Sequence, residues 1–182
     1  MFSYRHAFHA GAHSDVLKHT ALIAIVRHLT EKDASLVVVD THAGAGLYRL
    51  DGDYAEKSGE SVDGVIRLKG ASELVGPLQD YLDLIATFNS KGQLKIYPGS
   101  PFIIHQLLRD HDRLKLFELH PTDARALSGN VAQLEAGRQI AVFREDGFEG
   151  LKRFIPPPSR RALAFCGPRY EIKTDSAKVP QS

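Results

Sequence analysis

The chain has 182 residues, 43% hydrophobic and 25% charged, and its Lys+Arg 23 against Asp+Glu 22 leave a net charge of +1. This is the composition of an ordinary globular protein with room for one sizeable core, and it neither announces nor excludes a nucleic-acid partner, because a basic stripe can be local. One cysteine, Cys166, excludes an internal disulfide framework, no apolar run nears the roughly 18 residues of a membrane span, and the Met1-Phe-Ser-Tyr-Arg-His start lacks a signal-peptide pattern, so a cytoplasmic protein with no membrane partner is expected.

Residues 1–14 are small, polar and histidine-rich, which suits an arm or loop, and Ser14 or Asp15 can cap the helix that follows. Leu22, Ile25, Val26 and Leu29 repeat at helical spacing, with Leu17 on the same broad face. Leu36-Val-Val-Val-Asp40 then predicts a strand at about 36–40, covered on both faces as in a parallel sheet. Residues 47–71 are charged and Gly-rich without a clear period. Leu74, Leu78, Tyr81, Leu82 and Ile85 mark another helix. Tyr97-Pro-Gly-Ser-Pro101 predicts a turn feeding a helix, with Ser100 as N-cap and Pro101 at the first helical position. A strand at about 113–118 ends in Glu118, a polar helix follows at about 121–136, and a strand at about 139–144 ends in Glu145-Asp-Gly147. A short helix from Phe148 to Phe154 precedes three prolines, and the last strand falls at about 162–166. Strands alternating with helices imply a parallel, helix-covered α/β sheet.

Two clusters carry candidate chemistry. In Asp40-Thr-His-Ala-Gly44-Ala-Gly46 an acidic strand end precedes Gly-x-Gly, a turn through which backbone can pass close to a ligand. Ligands of open α/β sheets bind at such carboxyl ends, although the spacing is not that of a pyrophosphate cradle. A tight strand-to-helix connection with no ligand is the other reading. Glu118 could accept hydrogen bonds from both hydroxyls of a ribose, and Asp146 from an adenine amino group beside Gly147; each acid alone could equally be a solvated strand end. The second cluster is the arm. Tyr4, Arg5, His6, His9, Lys18 and His19 mix cations with flat rings, as stacking on unpaired bases and holding phosphates requires. An arm that simply packs on the core fits as well. A metal site is not expected, since no H-E-x-x-H or cysteine pair accompanies His6, His9, His13 and His19.

The segments Tyr4 to His19, Asp40 to Gly46, Tyr97 to Pro101, Glu118-Leu-His-Pro121, Asp146-Gly-Phe148 and Tyr170-Glu171 occur together in this order. The set closely resembles the bacterial 23S ribosomal RNA adenine-N6 methyltransferases of type J, a family earlier described in connection with competence and the use of external DNA. The resemblance covers nearly the whole chain. It implies a Rossmann-like S-adenosylmethionine-dependent methyltransferase fold with an inserted helical subdomain. The expected divisions are 1–46 for the arm, first helix and cofactor-turn strand, 47–112 for the insertion, and 113–182 for the rest of the core. The resemblance also implies that S-adenosylmethionine is held by His19, His42, Ser100, Glu118, Asp146 and Gly147, that Tyr4 contacts 23S rRNA, and that His6 and Lys18 lie beside it. A monomer is implied.

Two departures accompany the resemblance. Where the family carries Asp-Pro-Pro-Tyr, this chain has Gly167-Pro168-Arg169-Tyr170, so the catalytic position is degenerate at Gly167 while Pro168 and Tyr170 remain. The family also continues for about another hundred residues, so the C-terminal part of the sheet is expected to be missing and an apolar edge with Leu163 and Phe165 to favour self-association. The expected activity is therefore adenine-N6 methylation impaired at Gly167, with a non-catalytic cofactor- or nucleic-acid-binding remnant, or a DNA-utilisation role, as alternatives.

Overall fold

The structure, a computed structural model, describes residues 9–51 and 59–167; Tyr4, His6, Pro168 and Tyr170 lie outside the described residues. In chain order the elements are α1 (His13–Thr30), β1 (Val37–Asp40), β2 (Leu47–Arg49), a π-helical turn at Val62–Ile66 running into a single α-turn at Arg67–Lys69, α2 (Gly76–Ala86), β3 (Ile96–Pro98), α3 (Ser100–Leu107), β4 (Arg113–Phe117), α4 (Pro121–Ala132), β5 (Ile140–Phe143), α5 (Gly147–Phe154) and β6 (Ala162–Phe165). Contacts divide them into two units. One groups the described residues up to His28 with Leu47–Leu107, and the other groups Leu29–Gly46 with the described residues from Leu108 onward.

The second unit is the sheet unit. Its four strands are parallel and stand in the order β5-β4-β1-β6. In the central strand, Val37 pairs with Arg113 and Ala162, and Asp40 with Leu116 and Phe165. Leu36, Val38 and Val39 are wholly buried, which is why this strand reads as an unbroken apolar run rather than an alternating one. From β4 the chain moves outward to β5 and then returns to the opposite side of β1. The strand order therefore reverses beside β1, the arrangement that opens a crevice at the carboxyl ends. Helix α5 sets Leu151 against Val39 and Phe117, with Phe143, Phe154 and Ile155 around them. Burying Val39, Phe117 and Leu151 is worth about 1.5–3 kcal/mol each, and the partly buried rings and Ile155 contribute less. The Phe117 and Phe143 rings stack at 5.0 Å, and the Arg153 guanidinium lies over Phe143 while pairing with Glu145 at 2.9 Å.

A buried carboxylate joins the amino ends of two strands. Asp112 accepts from Leu36 N–H at 2.8 Å, from Arg109 N–H at 2.9 Å, and from the Arg109 guanidinium at 2.9 and 3.0 Å. The guanidinium also donates to the carbonyls of Thr30, Lys32 and Ala34. Burial opposes the charge on Asp112, yet the hydrogen bonds from Arg109 and from the Arg109 and Leu36 backbone outweigh it and hold the carboxyl below its ordinary 3.8.

In the first unit, α1 corrects the expected face. The buried stripe is Val16, His19, Leu22, Ile23 and Val26, whereas Leu17 is 68% and Ile25 46% exposed. Apolar residues run round much of this helix, so spacing alone does not select the face. The Ala12 carbonyl accepts the first helical bonds, and Asp15 is inside the first turn rather than at the cap, reaching back to Gly11 N–H at 3.1 Å. The aperiodic stretch contains β2, which pairs antiparallel with β3: Leu47 opposite Pro98, Tyr48 opposite Tyr97, Arg49 opposite Ile96. Tyr97 and Pro98 thus belong to a strand rather than a turn, and the Gly99 carbonyl opens α3 one residue before the expected cap. Asn89 closes the connection from α2 to β3. Its Oδ1 accepts from Lys95 and Ile96 N–H, both at 2.9 Å, and its Nδ2 donates to the carbonyls of Ile85 and Ile96. No helix among the described residues is long and apolar enough to cross a membrane.

Candidate functional site

The carboxyl edge of the parallel sheet gathers the turn 41–46 and the residues that follow β4, β5 and β6. Asp40, wholly buried, turns the chain by accepting His42 N–H at 3.2 Å. Thr41 N–H then bonds the Phe165 carbonyl at 3.1 Å, and Ala43 N–H bonds the Phe117 carbonyl at 2.9 Å. Gly44 N–H donates to Glu118 Oε2 at 2.8 Å, and Asn130 Nδ2 donates to the Ala45 carbonyl at 2.9 Å. Gly44 and Gly46 have φ of +64° and +84°, a region that glycine enters without the penalty other residues carry. The Gly-x-Gly turn is therefore pinned from β4, β6 and α4.

Glu118 is 6% exposed. Its second oxygen, Oε1, accepts His120 N–H at 2.8 Å. Asp146 is the N-cap of α5, accepting Phe148 N–H at 2.9 Å and Glu149 N–H at 3.3 Å. Both carboxylates thus have structural partners that strand-end acids alone did not reveal. A carboxylate offers about four lone-pair sites, so such bonds coexist with acceptance from ligand hydroxyl or amino groups. Gly147 meets the turn directly: a Cβ on it would stand 2.6 Å from Thr41 Cα and closer still to the Thr41 carbonyl oxygen. The His42 ring lies edge-on to Phe148 at 5.2 Å, and its Nδ1 is 2.8 Å from Thr41 Oγ1.

After β6 come Cys166 and Gly167. Burial pushes the Cys166 thiol up, against a hydrogen bond from Thr41 that pulls it down, so the sulfur stays protonated at neutral pH. Among the described residues, a Cβ on Gly167 would meet nothing closer than the Phe165 ring at 3.8 Å, an ordinary contact. Packing among the described residues therefore does not demand glycine at this position.

His19, Ser100 and Lys18 belong to the other unit. His19 is 3% exposed, its Nδ1 is 2.7 Å from the Tyr97 hydroxyl, and its ring stacks on Tyr97 at 5.7 Å. This corrects the reading of His19 as one of the flat rings offered to unpaired bases. Ser100 is buried at the start of α3. Lys18 is partly exposed, with Nζ 3.3 Å from Asp15 Oδ1. His9 pairs with Glu60 at 2.7 Å and His13 faces a cavity beside α1, so the described histidines of the arm diverge. Among the described residues no three His, Cys, Asp or Glu side chains stand where they could share a metal ion.

Sequence reasoning missed Thr41, Asn130 and Tyr97. Thr41 stands inside the motif itself and was legible as the residue after the acidic strand end. Asn130 lies on a polar helix and nothing in its neighbourhood marks it. Tyr97 was read only as part of a turn.

A model of the family described as "Ribosomal RNA large subunit methyltransferase D, RlmJ" matches residues 33–182. The chain is 46% identical over 179 residues to the ribosomal RNA large subunit methyltransferase J of Escherichia coli (strain K12), covering 98% of this chain and 63% of that protein. It is 40% identical over 176 residues to the protein of the same name from Haemophilus influenzae, covering 96% and 62%. A crystal structure of protein LPL1258 from Legionella pneumophila is similar with a TM-score of 0.84 at 34% identity, covering 95% of this chain and 62% of that one. The chain thus spans less than two thirds of the length of each of these relatives.

Proposed function

Because the chain belongs to the RlmJ family of ribosomal RNA large-subunit methyltransferases, we propose that its site serves S-adenosylmethionine-dependent methylation of an adenine N6 amine in 23S rRNA, in the cytoplasm, with transfer weakened at Gly167. The observation that carries this reading is the meeting, at one edge of a parallel sheet, of the pinned Gly-x-Gly turn with Glu118 and the Asp146-Gly147 pair.

The fit of these residues to a nucleoside cofactor is chemical. Glu118 offers acceptors to ribose hydroxyls, Asp146 an acceptor to an adenine amino group, and the Gly147 backbone an approach no side chain blocks. His42 and Phe148 pack edge to face on one another near the same turn. His19 and Ser100 complete the proposed set, and Tyr4, His6 and Lys18 are assigned to the RNA. The bound cofactor would supply an electrophilic methyl on a sulfonium. The chain's task is to prepare the nucleophile, because the adenine amine is poor while its lone pair is delocalised into the ring. Accepting both of its N–H bonds favours a pyramidal nitrogen, and holding it in line supplies much of the acceleration. Gly167 has no side chain to accept the first N–H. The Pro168 carbonyl remains for the second, and Tyr170 for stacking on a base taken out of its stack. Arg169 is a donor without acceptor capacity, and its charge opposes the sulfonium.

The test is calorimetric titration of the chain with S-adenosylmethionine, followed by methyl transfer to protein-free 23S rRNA. Binding near the micromolar range is expected, with turnover rising about a hundred- to ten-thousandfold in Gly167→Asp, Arg169→Pro. No binding by a folded sample would sink the proposal. Binding with no turnover in the repaired variant would leave the second reading, a cofactor- or RNA-binding remnant, which the missing carboxylate favours. Self-association through the outer edge of β6, paired among the described residues only with β1, is the expected departure from a monomer. A single monomeric species at all concentrations in sedimentation would contradict it.

A further inference from the structure

The base of the arm is gripped by a segment with no part in the site described so far. Residues 9–12 form a turn closed by the bond from Ala12 N–H to the His9 carbonyl at 3.0 Å, and the Ala12 carbonyl then opens α1. Residues 60–65, which lead into the π-helical turn, meet this turn at three points. Glu60 Oε2 pairs with His9 Nδ1 at 2.7 Å. Val65 N–H donates to the Gly11 carbonyl at 2.9 Å. Gly64 lies directly on the arm's backbone: a Cβ there would stand 2.7 Å from the Ala12 carbonyl carbon, 2.9 Å from Ala12 Cα, and closer still to the Gly11 carbonyl oxygen.

The fit is made from both sides. Gly11 has φ of +76°, and a Cβ on it would stand 2.7 Å from Val65 Cγ1. Its N–H donates to Asp15 Oδ2 at 3.1 Å while its carbonyl takes the Val65 amide, so both polar groups of this residue are engaged. Val65 is 0% and Ser61 5% exposed, so the contact is buried on the side of residues 60–65. Backbones approach this closely where both sides lack a Cβ. One contact would leave a pivot, whereas an amide bond, a close backbone contact and an ion pair together fix a position and a direction. Only five positions separate His9 from Tyr4. A chain extends by at most about 3.3–3.6 Å per residue, so Tyr4 stays within about 18 Å of the grip. Releasing the grip would widen that range and raise the entropy lost when the arm is ordered on a ligand.

We propose that residues 60–65 are a clamp on the base of the arm, with Gly11 and Gly64 as positioning residues, and that the clamp delivers Tyr4 and His6 to an unpaired stretch of RNA. This role rests on the proposed function in naming RNA as what the arm meets. The clamp itself stands on the contacts of His9, Gly11 and Ala12 with Glu60, Gly64 and Val65.

The test titrates the full chain with protein-free 23S rRNA and, separately, with S-adenosylmethionine. Tyr4→Ala removes a stacking ring and should weaken RNA binding about tenfold. Gly64→Ala forces the clamp off the Gly11 and Ala12 backbone and should weaken it by a similar factor. The double variant should bind no more weakly than either single one, because holding an arm without its ring brings nothing to the RNA. Affinity for S-adenosylmethionine should stay within about twofold throughout. Where Gly64→Ala does not fold, Glu60→Ala takes its place: it deletes only the partly exposed pair to His9 and should weaken RNA binding about threefold, with no such loss in the Tyr4→Ala background. A folded clamp variant that binds RNA like wild type, while Tyr4→Ala does not, overturns the clamp. Additive losses, or an equal fall in affinity for S-adenosylmethionine, are what a merely structural contact would give and overturn the positioning role. A wild type that binds no RNA, or a Tyr4→Ala variant that binds it unchanged, overturns the assignment of the arm to RNA and the role with it, and is told apart because it appears before any clamp residue is altered.

Discussion

Replacing Asp112 by alanine tests how the sheet unit is joined at its amino ends. The carboxylate accepts four hydrogen bonds, two from backbone N–H groups and two from one guanidinium. Leu36 is 0% exposed, so its N–H would be stranded without water, a penalty of about 1–3 kcal/mol. Arg109 N–H is only partly buried and can rehydrate. Adding the cavity left by a wholly buried side chain brings the expected loss to about 2–4 kcal/mol. Asp112→Asn keeps an oxygen for Leu36 but sets an amide against Arg109, and should cost roughly half as much. Urea unfolding monitored by circular dichroism reads both variants. A loss below about 1 kcal/mol in Asp112→Ala would refute the idea that this carboxylate bears on β1. The sign with pH follows from the folded state holding the group below its ordinary 3.8. Its stabilisation is complete above that ordinary value and drains away as pH falls through the depressed one. Wild type should therefore lose stability in acid more steeply than Asp112→Asn, with the two unfolding curves converging at the lowest pH.

Gly147→Ala should lose about 1–3 kcal/mol, because the new methyl meets Thr41 backbone that cannot swing aside, and a thermal melt shifted by less than a degree would refute that contact. Glu118→Ala removes the acceptor for Gly44 N–H, so S-adenosylmethionine affinity should fall at least about tenfold in calorimetry while the chain stays folded; unchanged affinity would remove Glu118 from the site. Asn89→Ala breaks four hydrogen bonds at the entry to β3 and should cost about 2 kcal/mol, with hydrogen exchange rising first at Lys95 and Ile96; uniform exchange would contradict a local role.

The parallel sheet was legible because its strands are short apolar runs with β-branched or aromatic residues and distinct ends. Asp40, Glu118 and Asp146 could be placed at those ends from spacing alone. Their second employment could not. That Asp146 caps α5, or that Glu118 holds the Gly44 and His120 amides, depends on which chain segments meet. The face of α1 was misjudged because Leu17 and Ile25 fit the period as well as Val16 and Ile23 do. Strands β2 and β3, three residues each, are too short for a period, and Pro98 hides one of them behind a turn signal. The burial of His19 against Tyr97 is a tertiary fact that no local pattern encodes.

The central position of β1 also dictates when this unit can fold. The bond from Leu36 to Asp112 spans 76 positions of sequence, and that from Thr41 to Phe165 spans 124. Nothing adjacent in sequence pairs with β1, so its backbone stays solvated until distant strands arrive. Each such closure loses chain entropy before any contact repays it. A ribosome releasing the chain from its amino terminus therefore delivers β1 well before either partner, leaving Val37, Val38 and Val39 exposed through much of synthesis. The stretch that anchors the finished sheet is, during birth, the one most in need of protection from its neighbours.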